Sequence, residues 1–251
     1  MLNRSLNQNE KAVSTISAMS RLERKFVISP QFAGIVVAWL RHNCLVDPQY
    51  PLSLINSIYF DTPELDSYQE CLNGDIYKNK VRLRWYDKAI PGLNDAVYLE
   101  LKSKRGFNTV KRRKLLPVTN SELQGDKMSN PVSQLQLETA LAELGYFATR
   151  PLSPIIQISY HRYRFRERQS GVSLTYDLDI ESFMVAPGRI VRTPCLEFKA
   201  TVLELKGGTM MLPPALRGLR AFAPRWSTFS KYAECLQLHL QRAGAAGRWQ
   251  T

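Results

Sequence analysis

Five short stretches of the chain alternate charged with apolar residues, and their charged positions are mostly Arg and Lys with a few Glu. They are Glu23-Arg24-Lys25, Val81-Arg82-Leu83-Arg84-Trp85, Leu99-Glu100-Leu101-Lys102-Ser103-Lys104, Tyr160-His161-Arg162-Tyr163-Arg164 and Leu203-Glu204-Leu205-Lys206. Side chains along a strand point to opposite faces with period two, so this alternation is a strand signal. Arg82 and Arg84 then share a face, as do Glu100 and Lys102, and Glu204 and Lys206. A sheet that gathers many cations and a few carboxylates on one face is equipped for a polyanion together with a divalent metal. The plainer reading of any single stretch is the solvent face of an ordinary antiparallel strand. Five stretches of the same kind weigh toward a binding surface.

Composition narrows the partners without choosing among them. Lys and Arg number 34 against 22 Asp and Glu, a formal net charge of +12. Such an excess attracts nucleic acid, anionic membrane or phosphorylated small molecules. Cys44, Cys71, Cys195 and Cys235 are scattered, with no CxxC pair and no His at metal-ligand spacing. They read as reduced thiols of a cytoplasmic protein rather than a disulfide frame or zinc site. His42, His161 and His239 lie far apart and recommend no His-centred chemistry. No segment approaches the roughly 20 apolar residues of a membrane span. Residues 1–20 lack the apolar core of a signal peptide and are expected to be a flexible or helical extension.

Along the chain, a strand is expected at 21–28, followed by Ser29-Pro30, a favourable helix start. Phe32, Ile35, Val36, Trp39 and Leu40 then follow helical spacing, which predicts an amphipathic helix over 30–43 with Trp39 in the core. A strand at 54–60, a helical turn at 64–72 and strands at 78–88, 96–104 and 108–117 follow, with Pro91-Gly92 and Arg105-Gly106-Phe107-Asn108 as connections. Residues 119–131 read as loop, and a helix over 132–144 ends at Gly145. Strands at 154–168, 172–179, 181–186 and 196–206 precede helical segments at 213–222 and 228–242 and a flexible tail over 243–251. The expected fold is a single α+β domain over 21–242, with about eight mainly antiparallel strands. Closure into a barrel would sustain an inward charged face, since a wet lumen keeps its ions solvated.

Taken in order, Arg21-Leu22-Glu23-Arg24-Lys25-Phe26, Ser57-Ile58-Tyr59-Phe60-Asp61-Thr62, Lys80-Val81-Arg82-Leu83-Arg84-Trp85-Tyr86, Leu99-Glu100-Leu101-Lys102, Val110-Lys111-Arg112-Arg113, Leu203-Glu204-Leu205-Lys206 and Phe229-Ser230-Lys231-Tyr232 form a recognisable set. Together they resemble the VTC domain, in a stand-alone bacterial-type form. This is the polyphosphate polymerase branch of the triphosphate tunnel metalloenzymes, or CYTH-like superfamily. The resemblance spans about residues 21–237. It implies an eight-stranded antiparallel tunnel that transfers the γ-phosphoryl group of ATP to a growing polyphosphate chain with the help of Mn²⁺ or Mg²⁺.

It also implies roles. Lys25, Arg82, Arg84, Lys102 and Arg162 match tunnel cations that act in the transfer, with Glu204 as the metal ligand. Glu23, Glu100, Lys111, Arg113, Tyr160, Lys206, Ser230 and Lys231 match positions that bind phosphate or orient the groups that do. Phosphoryl transfer needs charge neutralisation and in-line positioning more than a protein acid or base, which suits such a set. The run Lys111-Arg112-Arg113-Lys114 should send one pair inward and the other out, and Lys111 and Arg113 are the expected inward pair. Tyr59-Phe60-Asp61-Thr62 reads as a structural strand end, and Asp177 either as a turn residue or as an orienter of a tunnel cation.

Two positions depart from the family pattern. Many tunnel enzymes begin Glu-x-Glu-x-Lys, whereas Arg21 stands at the first carboxylate position here, as suits the polymerase branch. Thr228 stands where polymerase relatives often carry another Lys. Eukaryotic versions add an SPX domain and membrane helices that this sequence lacks, so it acts alone or docks onto an unseen membrane or regulatory partner. Three alternatives stay open: a triphosphatase using the same tunnel, a polyphosphate-binding module without turnover, and a nucleic-acid binder. The last is disfavoured because cations alternating with apolar residues suit an enclosed tunnel better than an open stacking platform.

Overall fold

The period-two stretches become strands of one antiparallel sheet. The computed structural model describes residues 22–86, 96–106, 108–119, 123, 132–185, 194–209, 211–222 and 226–247. The elements are β1 (Leu22–Ile28), α1 (Ala33–Asn43), β2 (Cys44–Val46), β3 (Leu52–Asp61), α2 (Asp66–Leu72), β4 (Tyr77–Tyr86), β5 (Tyr98–Arg105), β6 (Asn108–Leu115), α3 (Gln134–Glu143), β7 (Ser153–Glu167), β8 (Ser173–Met184), β9 (Leu196–Phe198), β10 (Thr201–Gly207) and α4 (Lys231–Gly247). Eight strands follow the order β1-β10-β8-β7-β3-β4-β5-β6, while β2 pairs with β7 and β9 with β8. The sheet curls strongly into a half-barrel. β1 and β6, the ends of the path, do not pair with each other among the described residues. The curl is nevertheless enough to bring Glu23 of β1 to Lys102 of β5, 3.0 Å apart.

Alternation explains how the two faces divide. On the convex side of β4 and β5, Val81, Leu83, Trp85, Leu99 and Leu101 bury against Leu137, Ala140 and Leu141 of α3. That helix starts in a capping box, in which the Ser133 hydroxyl accepts from the Gln136 amide and the Gln136 side chain accepts from Ser133. It ends at Gly145, whose φ of 70° a side chain would resist. A second convex cluster packs α1 and the 3₁₀ turn Pro214–Ala221 over β1, β10 and β8, through Val36, Leu40, Leu216, Leu219, Phe26, Tyr176 and Leu203. The third cluster lies on the concave side, where Tyr232 and Leu236 of α4 pack with Tyr59, Tyr160, Ile156 and Val202 and cover one end of the curl.

Several expectations change in detail. Ile35 is 57% exposed and Trp39 only half-buried, because α1 turns Val36 and Leu40 to the sheet. β2 was not expected; three residues carry too little pattern to separate from a helix end. The two strands expected at 172–179 and 181–186 are one strand with a bulge at Asp179. The single strand expected at 196–206 is broken between Phe198 and Thr201. The segment at 213–222 is a 3₁₀ turn rather than an α-helix, and α4 continues to Gly247. Residues 1–20, Arg21, Pro91-Gly92, Phe107, most of the 119–131 loop and 248–251 lie outside the described residues. Among the described residues no helix is long and apolar enough to cross a membrane.

Candidate active site

The concave face is built by register. Glu100 stands opposite Arg82 on one side and Arg113 on the other. Lys25 stands opposite Glu204, and Glu23 opposite Lys206. Arg162 stands opposite Asp177. Long-range pairing therefore places charges that are distant in sequence side by side, on the face away from the two convex cores.

Glu100 is the first hub. It is 2% exposed and accepts from Arg82 Nε at 2.9 Å and Nη2 at 2.7 Å. Arg84 Nη1 lies 3.5 Å away, and Lys111 closes the group with a further ion pair. The second guanidinium edges are also held: Arg82 donates to the Tyr59 hydroxyl at 2.9 Å, and Arg84 to Ser57 at 3.2 Å and Tyr160 at 3.1 Å. Tyr59 in turn stacks on Tyr232, with ring centroids 5.2 Å apart.

Asp177 is the second hub. Fully buried, it accepts both Nε (2.6 Å) and Nη2 (2.7 Å) of Arg162 in a bidentate fork and also pairs with Lys231. The Lys231 ammonium sits 4.7 Å from the Tyr160 ring centroid. Beside it, Lys80 donates to the Ser230 hydroxyl at 2.8 Å, so the start of α4 is tied to both walls. A third corner joins β1, β10 and β5. Lys206 lies 3.0 Å from Glu204 and 3.8 Å from Glu23, Glu23 also holds Lys102, and Lys25 donates to the Phe229 carbonyl at 3.0 Å.

The electrostatics follow from burial and sign. Burial works against the Glu100 charge, yet Arg84, Arg82 and Lys111 hold its carboxyl well below the usual range. Burial likewise opposes Glu204 and Asp177, and neighbouring cations override it: Lys206 and Lys25 for Glu204, Arg162 and Lys231 for Asp177. Burial lowers Lys25 and Lys102. It pushes Lys111 down to about 7, with Arg84 and Arg82 adding to the effect and Glu100 opposing it. Lys206 moves the other way, raised chiefly by Glu204.

The structure thus brings Lys25, Arg82, Arg84, Lys102, Arg162 and Glu204 onto one face with Glu23, Glu100, Lys111, Tyr160, Lys206, Ser230 and Lys231. Arg113 is on the same face but exposed, its guanidinium 5.1 Å from the Tyr98 ring centroid. Its neighbours Arg112 and Lys114 point outward as alternation requires, bonding the Leu144 carbonyl and Glu143 beside α3. Sequence reasoning underrated two residues. Asp177 orients Arg162 and Lys231, and Tyr59 faces inward to Arg82. The strand-end reading fits its neighbour Asp61, which accepts from the Thr62, Ser67 and Tyr68 amides and from the Tyr232 hydroxyl.

Among the described residues no cluster of three or more His, Cys, Asp and Glu side chains can hold a metal. Glu204 and Glu23 form a smaller donor pair, and the space between them attracts a cation, as the Lys206 ammonium there shows. Mg²⁺ and Mn²⁺ are commonly held by one or two protein carboxylates, with waters and substrate phosphates completing the shell, so this corner fits such an ion.

The VTC domain family profile matches residues 20–240. No curated protein sequence matches the chain. A solved putative adenylate cyclase from Bacillus halodurans is 15% identical, with a TM-score of 0.50, covering 84% of this chain and 93% of that chain. A putative adenylyl cyclase from Hippeastrum with a dominant triphosphatase activity is 17% identical at a TM-score of 0.46, covering 86% of this chain and 95% of that one. The first shares the fold of this chain; identities this low speak to fold alone.

Proposed function

The chain belongs to the VTC domain family, and from that premise we propose that it is a polyphosphate polymerase that transfers the γ-phosphoryl group of ATP to inorganic polyphosphate. One observation carries the reading. The curled face clamps Arg82, Arg84 and Lys111 around buried Glu100, and Arg162 and Lys231 around buried Asp177. Such fixed cations meet the need of phosphoryl transfer, where developing charge on phosphate oxygens must be met by groups already in place. Arg offers two parallel donors to a phosphate, whereas Lys acts as a mobile point charge.

In this mechanism Arg82, Arg84 and Arg162 meet phosphate oxygens as positive charges held in place by Glu100 and Asp177, with phosphate competing for the donors whose bonds Tyr59, Ser57 and Tyr160 accept. Lys25, Lys80, Lys102, Lys206, Lys231, Ser230 and Tyr160 supply the remaining donors and align donor and acceptor chains, with Lys111 and Arg113 on the outer strand. The terminal phosphate oxygen of the acceptor attacks the γ-phosphorus, the bond to the β–γ bridging oxygen breaks, and ADP leaves with that electron pair. No covalent enzyme intermediate is needed. A divalent ion, Mn²⁺ or Mg²⁺, held by Glu204 with Glu23 beside it would neutralise phosphate charge. ATP supply and four free thiols agree with a cytoplasmic protein.

The test is to incubate the protein with ATP, Mn²⁺ and a short polyphosphate primer, then resolve products by phosphorus NMR and gel. Lengthened chains with one ADP per added phosphate support the reading, and Glu204→Gln and Arg82→Ala should abolish them. Orthophosphate without longer chains would replace it with a triphosphatase. Intact ATP would overturn the catalytic claim in favour of a phosphate-binding module.

A further inference from the structure

We infer that the bulge at Asp179 is a positioning device that turns Asp177 into the tunnel and so sets the posture of Arg162 and Lys231. In a regular strand, residues 177 and 180 would face opposite sides. Here they share one. Asp177 meets Arg162 and Lys231 on the concave side, and Ile180 packs there with Tyr160 and Tyr232. On the other face, Leu174, Tyr176 and Leu178 belong to the convex core. Past the bulge, it is Glu181 that is exposed and Ser182 that is buried against His239 of α4.

The pairing locates the extra residue. Ser159 stands opposite Glu181 and His161 opposite Leu178, so β8 spends three steps where β7 spends two. Asp179 takes up the difference with a φ of 50°, one of two non-glycine residues with positive φ among those described. Asp tolerates that left-handed conformation better than most residues, and a β-branched side chain there is a true outlier. On the other edge of β8, the break between β9 and β10 matches the bulge: Ile180 pairs with Phe198 and Asp177 with Val202. The phase of β8 therefore changes where the apolar floor under α4 gives way to the charged lumen. Without the extra residue, one half of the strand would present its wrong face, either carrying Asp177 into the convex core or Ile180 out to solvent.

Asp179 acts through its backbone, although its carboxylate also lies 3.1 Å from His161 Nδ1 on the outer surface. Glycine separates the two roles. Asp179→Gly keeps the left-handed turn and loses the ion pair, while Asp179→Val disfavours the turn. The readout is amine acetylation of Lys231, which is 11% exposed against Asp177, measured by peptide mass spectrometry relative to exposed Lys199. Asp179→Gly should leave Lys231 protected as in the wild type. Asp179→Val should raise its labelling about fivefold or more, the order of the left-handed penalty. If Asp179→Val does not fold, Asp179→Ala decides, with a rise of at least about twofold expected. Unchanged Lys231 labelling in a folded Asp179→Val, or in Asp179→Ala where that variant decides, would overturn the inference. So would equal exposure in Asp179→Gly, which would assign the effect to the ion pair.

A second arm rests on the phosphate-handling reading above. Calorimetric binding of tripolyphosphate should weaken in Asp179→Val, but Asp179→Val should cost nothing further when added to Asp177→Asn. Additive losses would sink the positioning role. Failure of the wild type to bind tripolyphosphate would sink the phosphate reading instead, with the labelling result still deciding the bulge.

Discussion

Replacing Glu100 by Gln should leave a protein that is unstable when empty and rescued by its ligand. Glu100 is 2% exposed and holds Arg82 through two hydrogen bonds, with Arg84 and Lys111 beside it. The amide is nearly the same shape, so no cavity forms, but the largely buried Arg82 and Arg84 and the more exposed Lys111 lose their common anion. Breaking a buried charge cluster by neutralising one partner typically costs about 3–5 kcal/mol, and the retained amide oxygen argues for the lower end. At about 3 kcal/mol, a chain of this size loses roughly 6–12 °C in Tm. The Glu100 pKa is depressed in the folded state, so its stabilisation is present above the ordinary pKa of a glutamate and is lost as pH falls below it. The gap between wild type and Glu100→Gln should therefore narrow in acid. Tripolyphosphate supplies the missing negative charge, so at saturation it should raise the Tm of the variant more than that of the wild type. Thermal unfolding at pH 7 and pH 4, with and without tripolyphosphate, checks all three statements. Equal Tm values at pH 7, or an equal ligand shift in both proteins, would refute the idea that Glu100 supplies the anion that these three cations share.

Asp177→Asn should leave Arg162 and Lys231 unpaired, lowering stability by about 3 kcal/mol or more in chemical denaturation at pH 7. Tyr232→Phe removes the 2.5 Å hydrogen bond to Asp61 while keeping the ring stacked on Tyr59. A loss of about 1–3 kcal/mol with little change in tripolyphosphate affinity is expected, whereas Tyr59→Phe, which loosens Arg82 Nη1 while Glu100 still holds the other edge, should show the reverse balance by calorimetry. Lys111, pushed down to about 7, must take up a proton when phosphate binds above that pH. Calorimetry at pH 8 in two buffers of different ionisation enthalpy should report greater proton uptake for the wild type than for Lys111→Met.

Period-two alternation made most of the concave face legible, because the face of a strand residue is decided locally. Arg82 with Arg84, Glu100 with Lys102, Glu204 with Lys206, and Lys111 with Arg113 all follow from it. What alternation cannot carry is phase across a bulge. Asp177 lies just before the residue that breaks the period, and its partner Lys231 is contributed by a helix far along the chain. Tyr59 was hidden for a different reason. It sits two residues before Asp61, whose helix-capping role is real, and the strand-end reading that fits Asp61 extends to Tyr59 as well, although Tyr232 meets both side chains. The same locality explains the error at Ile35, since a helical stripe fixes a face only within about one residue's rotation. Lys25 could be placed inward from its period, but its bond to the Phe229 carbonyl depends on the segment before α4 lying along the edge of β1.

Two lysines on this face shift in opposite directions, and together they give the tunnel a polarity. Burial pushes Lys111 down, and the arginines that share Glu100 add to the effect; Lys206 is raised, because Glu204 and Glu23 both face it. At an effective dielectric of about 20, like charges 4 Å apart repel by about 4 kcal/mol, so the β4–β6 wall gains most from an incoming anion. The corner between β1 and β10 is the opposite case: it already favours a cation and holds a lysine ammonium in that position. A metal–triphosphate complex carries both needs in one ligand, phosphate oxygens for the wall and a divalent ion for the corner. A divalent ion held by Glu204 and Glu23 would take the place of the Lys206 ammonium between the carboxylates and leave it to the phosphate chain. Neutralising Lys206 should then weaken metal-free tripolyphosphate more than the Mn²⁺ complex, whereas neutralising Glu204 should weaken only the complex.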